Sequence, residues 1–529
     1  MHDVIVIGSG GAGLTAALSA ASVGAQVLVL EASTHWGGST AVSAGEVWVP
    51  VNHAMGKLGV EDSLEDALRY CLPDTHGTQT ALLKKFVGTA FEMAQFVERH
   101  SPIAWQAMSS PDTFAERSGG RRSARHLEVA PLEANEFEPL HEHFWLPNFP
   151  AIFTNDEVFN LRLLFGGEVP QQLAQRRLRQ KQVCTGVGLV AGLMQGAHAQ
   201  GVEFARGVRV QQLLRDDHQR ICGVVGQCNG TTQTFRASKG VVVACGGFEW
   251  NNEVRDLNLN LPVAHPASPP IHHGDGLQML EAIGADIAHT HECWAWPVQE
   301  LPGHLWPNVN KARHELVLAE RCLPHVVWVN QNGERFVNEA SHNCALELTP
   351  KILPVWAIAD AQYRSRYPLA GAAADQELPN HVVCAPDLQA LAKIIDVDEI
   401  ALQQTIQRYN GFVHQGRDED FNRGEAAYDR FYGDSLAEHP NLGTIDQPPF
   451  YAIRIYPGTV GTKGGARIDE YARVLDTQGL PITGLWAAGN AMASIIGPGT
   501  LAPGLTLGLA LTWGYIAGQE AAQEIAEGR

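Results

Sequence analysis

Near the start of the chain, three glycines and one glutamate have the types and spacing of a nucleotide-binding site. The segment "VIVIGSGGAG" places Gly8, Gly10 and Gly13 in a G-x-G-x-x-G pattern, and Glu31 ends the later segment "QVLVLE". Gly8 permits a tight turn, Gly10 lets the main chain approach a pyrophosphate, and Gly13 allows a helix to pack closely on a strand. The carboxylate of Glu31 would accept hydrogen bonds from a ribose. These residues predict a dinucleotide site.

The elements that flank these glycines are those that such a site requires. The run "VIVIG" is short and continuously apolar, as expected of a parallel strand that is buried on both faces. An alanine-rich helical pattern follows the glycines, and "QVLVLE" has the composition of a second strand. The N-terminus of the helix would present free N–H groups and the positive end of its dipole to the phosphates.

Small residues recur at three later points and favour FAD over NAD. The segment "HWGGSTAVSAGEVWVP" brings Gly37–Gly38 and Ser39–Thr40 shortly after Glu31. The strand-like "GVVVACGGFEWN" contains Gly246–Gly247, and "GLWAAGNA" ends near Gly489–Asn490. A nucleotide domain that is completed by the last part of the chain is typical of an FAD protein, whereas a simple NAD dehydrogenase does not need it.

The C-terminal segment "IIGPGTLAPGLTLGLALTWGYIAG" is either a membrane span, a core element or a ligand-facing element. No charged residue occurs from Asn490 through Gln519, and about 20 apolar residues suffice for a span. The glycines and prolines at positions 497–504 interrupt the first half, which leaves only about a dozen continuous helical residues. We therefore expect no transmembrane segment but a short buried helix, and the pattern alone leaves open whether the preceding loop faces a ligand.

The bulk composition restricts the class of protein. The chain has 529 residues, more than one hydrophobic core usually supports, so two or more domains are expected. Its net charge of −19 argues against a nucleic-acid partner. Nine cysteines without a C-x-x-C pair indicate reduced thiols, and "MHDVIVIGSG" leaves no room for a signal peptide. A cytoplasmic location is therefore expected.

Motifs along the whole chain resemble one family. These motifs are "GGSTAVSAGEVWVP", "VVVACGGFEWNNEVR", "HHGDGLQML", "VNQNGERFVNEA", "DEDFNRG", "GTKGGARID" and "GLWAAGNA". Together they resemble the 3-ketosteroid dehydrogenase branch of the fumarate reductase/succinate dehydrogenase flavoprotein superfamily. The resemblance implies an α/β fold, with a Rossmann-like FAD-binding domain split between residues 1–285 and 441–529. A smaller inserted α+β catalytic (cap) domain would occupy residues 286–440.

The resemblance also predicts how FAD is held. Covalently flavinylated members attach FAD through a histidine, whereas Ser39 stands at the matching position, so noncovalent FAD is expected. The loop "GPGTLAPG" would wrap the redox end of the flavin, and a helix that begins near Thr506 would direct its positive dipole end at the ring. The residues predicted to contact FAD are Gly8, Gly10, Gly11, Ala12, Gly13, Glu31, Gly37, Gly38, Ser39, Thr40, Ala44, Gly45, Ala244, Gly246, Asp275, Gly489, Asn490, Gly504, Thr506 and Leu507.

The reaction that the resemblance implies removes two hydrogens from adjacent carbons beside a ketone. One leaves as a proton from the carbon alpha to the carbonyl, and the other leaves as a hydride to flavin N5. The proton leaves only if the enolate oxygen is stabilised, and one hydrogen-bond donor is worth about 10²–10³ in rate. In the steroid 1,2-dehydrogenases the donors are a glycine N–H, matched here by Gly504, and a tyrosine hydroxyl, whose position is taken by Thr500.

Two further tyrosines of the steroid 1,2-dehydrogenases are replaced in this chain. The family's general base is a tyrosine a few residues after "RFVNE", where this chain offers Ser341, His342 and Asn343. Another family tyrosine is replaced by Thr113 and Phe114 in "SSPDTFAERSGG". The fold and the cofactor do not depend on these tyrosines, whereas the substrate and the identity of the base do.

Two residues are candidates for the general base. Tyr456 in "AIRIYPGTVGTKGG" precedes a glycine loop that is expected to approach the flavin, and a phenolate can take a proton from carbon. His342 needs no large pKa shift to act near neutrality. A buried tyrosine with a bonded hydroxyl and a histidine that caps a helix are the structural alternatives. The candidate catalytic residues are Tyr456, His342, Gly504, Thr500, Asn343 and Phe114.

Two other functions stay open. A fumarate reductase-like ene-reductase would bind a dicarboxylate through arginines, one of them in the C-terminal loop, but residues 490–519 contain none. Arg122, Arg313 or Arg454 could still contact a single carboxylate. The other alternative is a flavoprotein subunit that relays electrons to a partner protein.

The expected partners are a substrate and an electron acceptor. The substrate would be a small apolar cyclic ketone, either a 3-oxosteroid or a cyclohexanone-type ring. Because no second G-x-G-x-x-G of comparable quality is present for NADPH, the acceptor would be a quinone, an electron-transfer protein or oxygen. No metal site is predicted, since His141–His143 and His272–His273 have no further ligands at a suitable spacing.

Overall fold

The computed structural model describes residues 1–77, 79–134, 140–307 and 309–524. Its strands, numbered along the chain, are β1 (His2–Ile7), β2 (Val27–Glu31), β3 (Val47–Trp48), β4 (Trp105–Ala107), β5 (His126–Val129), β6 (Leu132–Glu133), β7 (Gln182–Val183), β8 (Glu203–Arg206), β9 (Val208–Arg215), β10 (Ile221–Cys228), β11 (Thr231–Val243), β12 (His265–Pro266), β13 (Ile287–Ala288), β14 (Cys293–Leu305), β15 (Ala312–Leu316), β16 (Val326–Val329), β17 (Val355–Asp360), β18 (Val383–Ala385), β19 (Phe450–Thr462), β20 (Gly465–Ala466), β21 (Arg473–Leu475) and β22 (Pro481–Ala487). Its α-helices are α1 (Gly11–Ser22), α2 (Gly38–Val42), α3 (Leu64–Cys71), α4 (Thr80–His100), α5 (Leu140–His143), α6 (Asn155–Asn160), α7 (Gln171–Arg179), α8 (Thr185–Ala199), α9 (Asn252–Asn258), α10 (Asp275–Ala282), α11 (Ala361–Arg366), α12 (Leu388–Ile395), α13 (Glu399–Gln415), α14 (Ala427–Tyr432) and α15 (Leu505–Gln523).

The first sheet is built from both ends of the chain. Its strand order is β21–β22–β11–β1–β2–β8, and the β9–β10 hairpin extends from β11. The strands β22, β11, β1, β2 and β8 run parallel, and the side chains of Val4, Ile5 and Val6 in the central strand are fully buried. Burial on both faces explains the continuous apolar run of β1. The predicted α/β fold with a parallel, Rossmann-like sheet is confirmed.

The C-terminal helix packs directly against the first helix. A Cβ on Gly514 would lie 2.3 Å from the Ala12 carbonyl oxygen, and a Cβ on Gly518 would lie 2.2 Å from that of Ala16. Both glycines therefore let the main chains of α15 and α1 approach more closely than larger residues permit. The Ser19 hydroxyl also donates a hydrogen bond to the Tyr515 carbonyl. This contact joins the end of the chain to the nucleotide-binding helix.

Membrane crossing was one alternative for the C-terminal segment. No helix among the described residues has the length and apolarity that a span requires. In α15 the side chains of Leu505, Leu511 and Trp513 are buried in the same hydrophobic core as those of β1 and α1.

The second sheet is assembled mainly from the inserted segment. Its strand order is β15–β14–β19–β17–β16, and β12 and β18 also pair with β19. We expected the second part of the FAD-binding domain to begin at residue 441, but β19 forms antiparallel ladders with β14 and β17. The chain therefore crosses the second sheet once more before it rejoins the first sheet at β21 and β22.

Candidate active site

One large cavity lies where the two sheets face each other. Its volume is about 750 Å³, and its wall contains residues from both ends of the chain and from the inserted segment. The ends of β1, β2, β11 and β22 all open onto it, because the carboxyl ends of parallel strands meet at one edge of a sheet. The cavity wall includes every residue predicted to contact FAD except Gly13 and Gly37.

The first glycine turn has the geometry of a phosphate cradle. Gly8 has a φ of +105°, and a Cβ at this position would lie 2.4 Å from the Ala244 carbonyl oxygen. Gly10 precedes α1, and a Cβ there would meet no described atom closer than 3.6 Å, so its missing side chain leaves room on the cavity side. A Cβ on Gly13 would lie 2.0 Å from the Gly8 carbonyl oxygen, which explains why Gly13 supports packing rather than lining the cavity.

Glu31 is held in place at the end of β2. Its Oε2 accepts hydrogen bonds from the Ser9 N–H at 3.1 Å and from the Ser9 hydroxyl at 2.6 Å, and its Oε1 accepts one from the Ser33 N–H at 2.9 Å. The Ser9 hydroxyl in turn accepts from the Gly37 N–H. Gly37, with a φ of +95°, thus links the two predicted cofactor segments without lining the cavity.

The segment after β2 is joined to the glycine turn and to the opposite wall. The Gly11 N–H donates to the Thr40 hydroxyl at 2.9 Å. The Ser39 hydroxyl and His272 Nε2 are hydrogen-bonded at 2.8 Å, and His272 lines the cavity. The sequence assigned no individual role to His272, whereas its hydrogen bond with Ser39 places it in this site. Asp275 also lines the cavity, but its carboxylate is bonded by both the Nε and one terminal nitrogen of Arg209.

The loop before α15 forms the other end of the cavity. Gly504 has a φ of +73°, and it immediately precedes α15. The Trp48 N–H donates to the Gly504 carbonyl at 3.0 Å, and a Cβ on Gly504 would lie 2.7 Å from the carbonyl of Glu46. The structure describes no hydrogen-bond partner for the Gly504 N–H. The helix begins at Leu505, one residue before the expected start at Thr506.

Asn343 and Thr500 hold this loop rather than offering free polar groups. The Thr500 N–H donates to Asn343 Oδ1 at 2.9 Å, and Asn343 Nδ2 donates to the Thr500 carbonyl at 3.1 Å. The hydroxyl of Thr500 donates to the Ala502 carbonyl at 3.2 Å. Both residues line the cavity as expected. However, the single hydroxyl proton of Thr500 is already used by Ala502.

A buried lysine forms hydrogen bonds with the main chain of the same loop. Lys463 Nζ donates to the carbonyls of Gly497 and Gly499 and lies 4.0 Å from the centre of the Trp294 ring. Burial lowers the pKa of the Lys463 ammonium group to about 7. Sequence reasoning passed over this residue, because its partners lie more than thirty positions away along the chain.

His342 lies on the cavity wall. Its side chain is buried, and its Nδ1 has no partner among the described residues. The ring packs edge-on against Trp296 at 4.7 Å and beside Tyr428 at 4.9 Å. Burial, together with the charge of Arg321, holds the pKa of His342 well below its ordinary value. The imidazole is therefore neutral near pH 7.

Tyr456 and Phe114 lie away from the cavity wall. Tyr456 is in the middle of β19, where its ring packs against His265 at 4.7 Å and His314 at 6.4 Å. Phe114 has Arg117 stacked at 4.4 Å on its ring, and its N–H donates to the Tyr70 hydroxyl. Neither residue is part of the surface that encloses the cavity. The position of Tyr456 within the second sheet could not be read from the sequence, because the four strands that pair with β19 come from distant segments.

Several ionisable groups on the cavity wall were not singled out from the sequence. Burial raises the pKa of Glu46 to about 8 and that of Glu320 to about 7. Arg313, a candidate partner for a carboxylate, also lines the cavity, with its guanidinium 4.4 Å from the centre of the Trp306 ring. Glu46 lies within the quoted motif "GGSTAVSAGEVWVP", but the pattern alone gave no reason to assign it a role.

One group of metal-ligand side chains occurs outside the cavity. His76, His289 and Glu292 have ligand atoms within 4.8 Å of one another. The two imidazole rings are stacked at 3.7 Å with an angle of 8° between their planes. A metal ion bound in this arrangement could not lie in both ring planes, so the contact is better described as an imidazole stack beside a carboxylate.

Comparison with known proteins shows the family to which the chain belongs. Residues 3–507 match the family model described as "FAD binding domain". The chain is 32% identical to the 3-oxosteroid 1-dehydrogenase of Mycolicibacterium smegmatis, over 100% of this chain and 98% of that protein. It is also 32% identical to the 4-oxocyclohexanecarboxylate 2-dehydrogenase of Sinomonas cyclohexanicum, over 99% of this chain and 93% of that protein.

A solved structure of a 3-ketosteroid dehydrogenase has the same fold over nearly the whole chain. The crystal structure of 3-ketosteroid Δ1-dehydrogenase from Sterolibacterium denitrificans, in complex with 1,4-androstadiene-3,17-dione, superimposes with a TM-score of 0.91. The two sequences are 30% identical, over 98% of this chain and 99% of the other. Together with the glycine turn and the Glu31 site, these comparisons show that the cofactor is FAD and that the protein is an oxidoreductase. The chain belongs to the FAD_binding_2 family and, within it, to the 3-ketosteroid dehydrogenase-like branch of the fumarate reductase/succinate dehydrogenase flavoproteins.

Proposed function

We propose that this protein is an FAD-dependent dehydrogenase that introduces a carbon–carbon double bond beside the ketone of a ring substrate. The observation that carries the proposal is Gly504, which lies on the cavity wall just before α15 and whose N–H has no hydrogen-bond partner among the described residues. A main-chain donor fixed in this way stabilises an oxygen that gains negative charge during the reaction. The named activities of the two relatives, on a 3-oxosteroid and on 4-oxocyclohexanecarboxylate, share this ring ketone.

Each part of the chain has a defined task in this reaction. The residues at the ends of β1, β2 and β11 bind the nucleotide part of FAD, and the loop before α15 encloses the part that reacts. Bound FAD supplies the acceptor for the hydride from the beta carbon. The Gly504 N–H binds the ketone oxygen, so the bond between the alpha carbon and its hydrogen becomes more acidic. Apolar and aromatic side chains, including Trp294 and Phe153, keep water from the cavity.

We assign the general base to His342 rather than to Tyr456. His342 lines the cavity, its imidazole is neutral, and its buried Nδ1 has no hydrogen-bond partner within the part of the chain that the structure describes. A base must reach the proton that it removes, and the ring of Tyr456 instead packs edge-on against the stacked rings of His265 and His314, away from the cavity wall.

Substitution of the two candidates tests this assignment. We expect His342→Ala to lower the rate of flavin reduction by ketone about 10²–10⁴-fold, which is the usual contribution of a positioned base. Tyr456→Phe removes only a hydroxyl and is the matched comparison. If Tyr456→Phe causes the larger loss in rapid-mixing experiments, while both variants retain FAD, the base is Tyr456 and the assignment is wrong.

A ring ketone that also carries a carboxylate is the second candidate substrate. Arg313 on the cavity wall supports it, because its guanidinium is partly desolvated over Trp306 and would gain from a carboxylate partner. A comparison of 4-oxocyclohexanecarboxylate with a 3-oxosteroid separates the two candidates. Arg313→Met should raise the KM for the acid at least tenfold and leave the KM for a neutral ketone nearly unchanged.

The electron acceptor of the reduced enzyme is external in this proposal. The described cavity contains one glycine turn of the G-x-G-x-x-G type, and the sequence offers no second turn of comparable quality for NADPH. We therefore propose a quinone, an electron-transfer protein or oxygen as the acceptor. Reoxidation rates of the ketone-reduced enzyme with each of these acceptors would rank them.

A further inference from the structure

Glu46 lies on the cavity wall close to Gly504, the proposed donor to the ketone oxygen. It precedes β3, and its main chain contacts Gly504, since a Cβ on Gly504 would lie 2.7 Å from the Glu46 carbonyl carbon and oxygen. The hydrogen bond from the Trp48 N–H to the Gly504 carbonyl fixes this pair of segments. Both Glu46 and Gly504 line the cavity. The side chain of Glu46 is 8% exposed, and its Oε2 has no hydrogen-bond partner in the part of the chain that the structure describes.

The surroundings of Glu46 oppose a negative charge. Two further carboxylates face it, Glu128 from β5 and Asp156 from α6, and the phenol of Tyr432 from α14 lies near the same acid. Burial and repulsion by these two carboxylates raise the pKa of Glu46 to about 8. The N-terminus of α15 is the nearby feature that acts in the opposite direction. Near pH 7, Glu46 is therefore mainly a neutral carboxylic acid with a proton to donate.

We propose that Glu46, in its protonated form, donates a second hydrogen bond to the ketone oxygen, beside the main-chain N–H of Gly504. The inference rests on the proposed function, and it assigns a donor to a site where Thr500 has no free hydroxyl proton. A carboxylic acid kept neutral in an apolar site is an effective donor to a developing oxyanion.

The step balances without transfer of the Glu46 proton. The bond between the alpha carbon and its hydrogen breaks, and the base receives the proton. The electron pair then forms a double bond between the alpha carbon and the carbonyl carbon, and the ketone oxygen becomes an enolate oxygen. Its hydrogen bonds from Glu46 and Gly504 strengthen at this point. When the hydride passes from the beta carbon to FAD, the carbonyl double bond re-forms. The carbon–carbon double bond then lies between the alpha and beta carbons. Glu46 thus stays protonated throughout the cycle.

If ionised Glu46 were instead the base, kcat/KM would depend on pH in the opposite direction. A required protonated acid makes kcat/KM fall about tenfold per pH unit above its pKa, whereas a required carboxylate makes kcat/KM rise up to that pKa. We expect the wild-type enzyme with a ring ketone to lose activity above about pH 8. The Glu46→Gln variant keeps an N–H donor but does not titrate, so it should retain much of the activity at about pH 7 and lose the alkaline decline.

Two further variants sharpen the test. Glu46→Ala removes the donor and should lower kcat about 10²–10³-fold, well below Glu46→Gln. Glu128→Gln removes a neighbouring carboxylate that is not part of the cavity wall, so the alkaline decline should persist with its midpoint at lower pH. FAD content and circular dichroism of each variant show whether it has folded.

Binding of the product ketone to the oxidised, FAD-loaded enzyme gives a readout that does not depend on turnover. The product oxygen only accepts hydrogen bonds, so its Kd should rise about tenfold as Glu46 ionises, and it should be independent of pH in Glu46→Gln. If wild-type activity rises through about pH 8 and Glu46→Gln is as impaired as Glu46→Ala, Glu46 is the base and the inference is overturned. Unchanged kinetics in both variants would overturn it as well. Failure of the wild-type enzyme to oxidise any ring ketone would instead refute the proposed function.

Discussion

At the scale of single residues, the site combines a neutral acid, a neutral imidazole and a main-chain donor. Glu46 is held protonated by burial and by neighbouring carboxylates, whereas burial and Arg321 keep His342 unprotonated. Environments that shift two pKa values in opposite directions are typical of acid–base pairs in enzymes. The role of Gly504 was predicted through the resemblance to the steroid 1,2-dehydrogenases, whose glycine donor it matches. The protonation of Glu46 was not, because it depends on carboxylates from β5 and α6.

The buried acid should also have a measurable cost in stability. The unfolded chain ionises Glu46 near its ordinary pKa of 4.5, whereas the folded chain retains the proton up to about pH 8. Wild-type stability should therefore fall, relative to Glu46→Gln, as pH rises between these values, by at most about 5 kcal/mol. Thermal unfolding of both FAD-loaded proteins from about pH 5 to about pH 9 checks this. A constant difference in Tm across that range would contradict the raised pKa.

At the scale of secondary-structure elements, the loop before α15 depends on supports from other parts of the chain. Lys463 bonds two of its carbonyls, and the Asn343 amide bonds the main chain of Thr500 on both sides. The resemblance predicted that this loop faces the flavin, and its glycines, prolines and lack of charge agree with a loop before a buried helix. It could not predict the supports, since each comes from a distant segment that only the fold brings close.

Removal of the lysine should loosen the loop without altering the glycine turn at β1. We expect Lys463→Met to raise the Kd for FAD about tenfold, since the loop loses charge-assisted hydrogen bonds to two carbonyls. Titration of the apoprotein with FAD, followed by flavin fluorescence, measures the change. The exposed Lys351→Met variant serves as the control. Equal FAD affinities of the wild type, Lys463→Met and Lys351→Met would show that the Lys463 hydrogen bonds have no part in FAD binding.

At the scale of the whole molecule, the split FAD-binding domain followed from two glycine-rich segments at opposite ends of the chain. The structure confirms that these ends meet, through the pairing of β11 with both β1 and β22 and through the packing of α15 on α1. The place of β19 in the second sheet was not predicted, because its antiparallel partners β14 and β17 come from distant segments of the chain. The assignment of Tyr456 depended on that place, and so it could not be settled before the sheets were known.

The most direct test of the central claim is the anaerobic mixing of the oxidised, FAD-loaded protein with saturated ring ketones. The account predicts that a 3-oxosteroid or 4-oxocyclohexanecarboxylate bleaches the absorbance of the oxidised flavin rapidly, and that one equivalent of the α,β-unsaturated ketone forms per flavin. If these ketones leave the flavin oxidised, while an artificial reductant bleaches it and an unsaturated acid then restores its colour, the protein is an ene-reductase and the account is wrong.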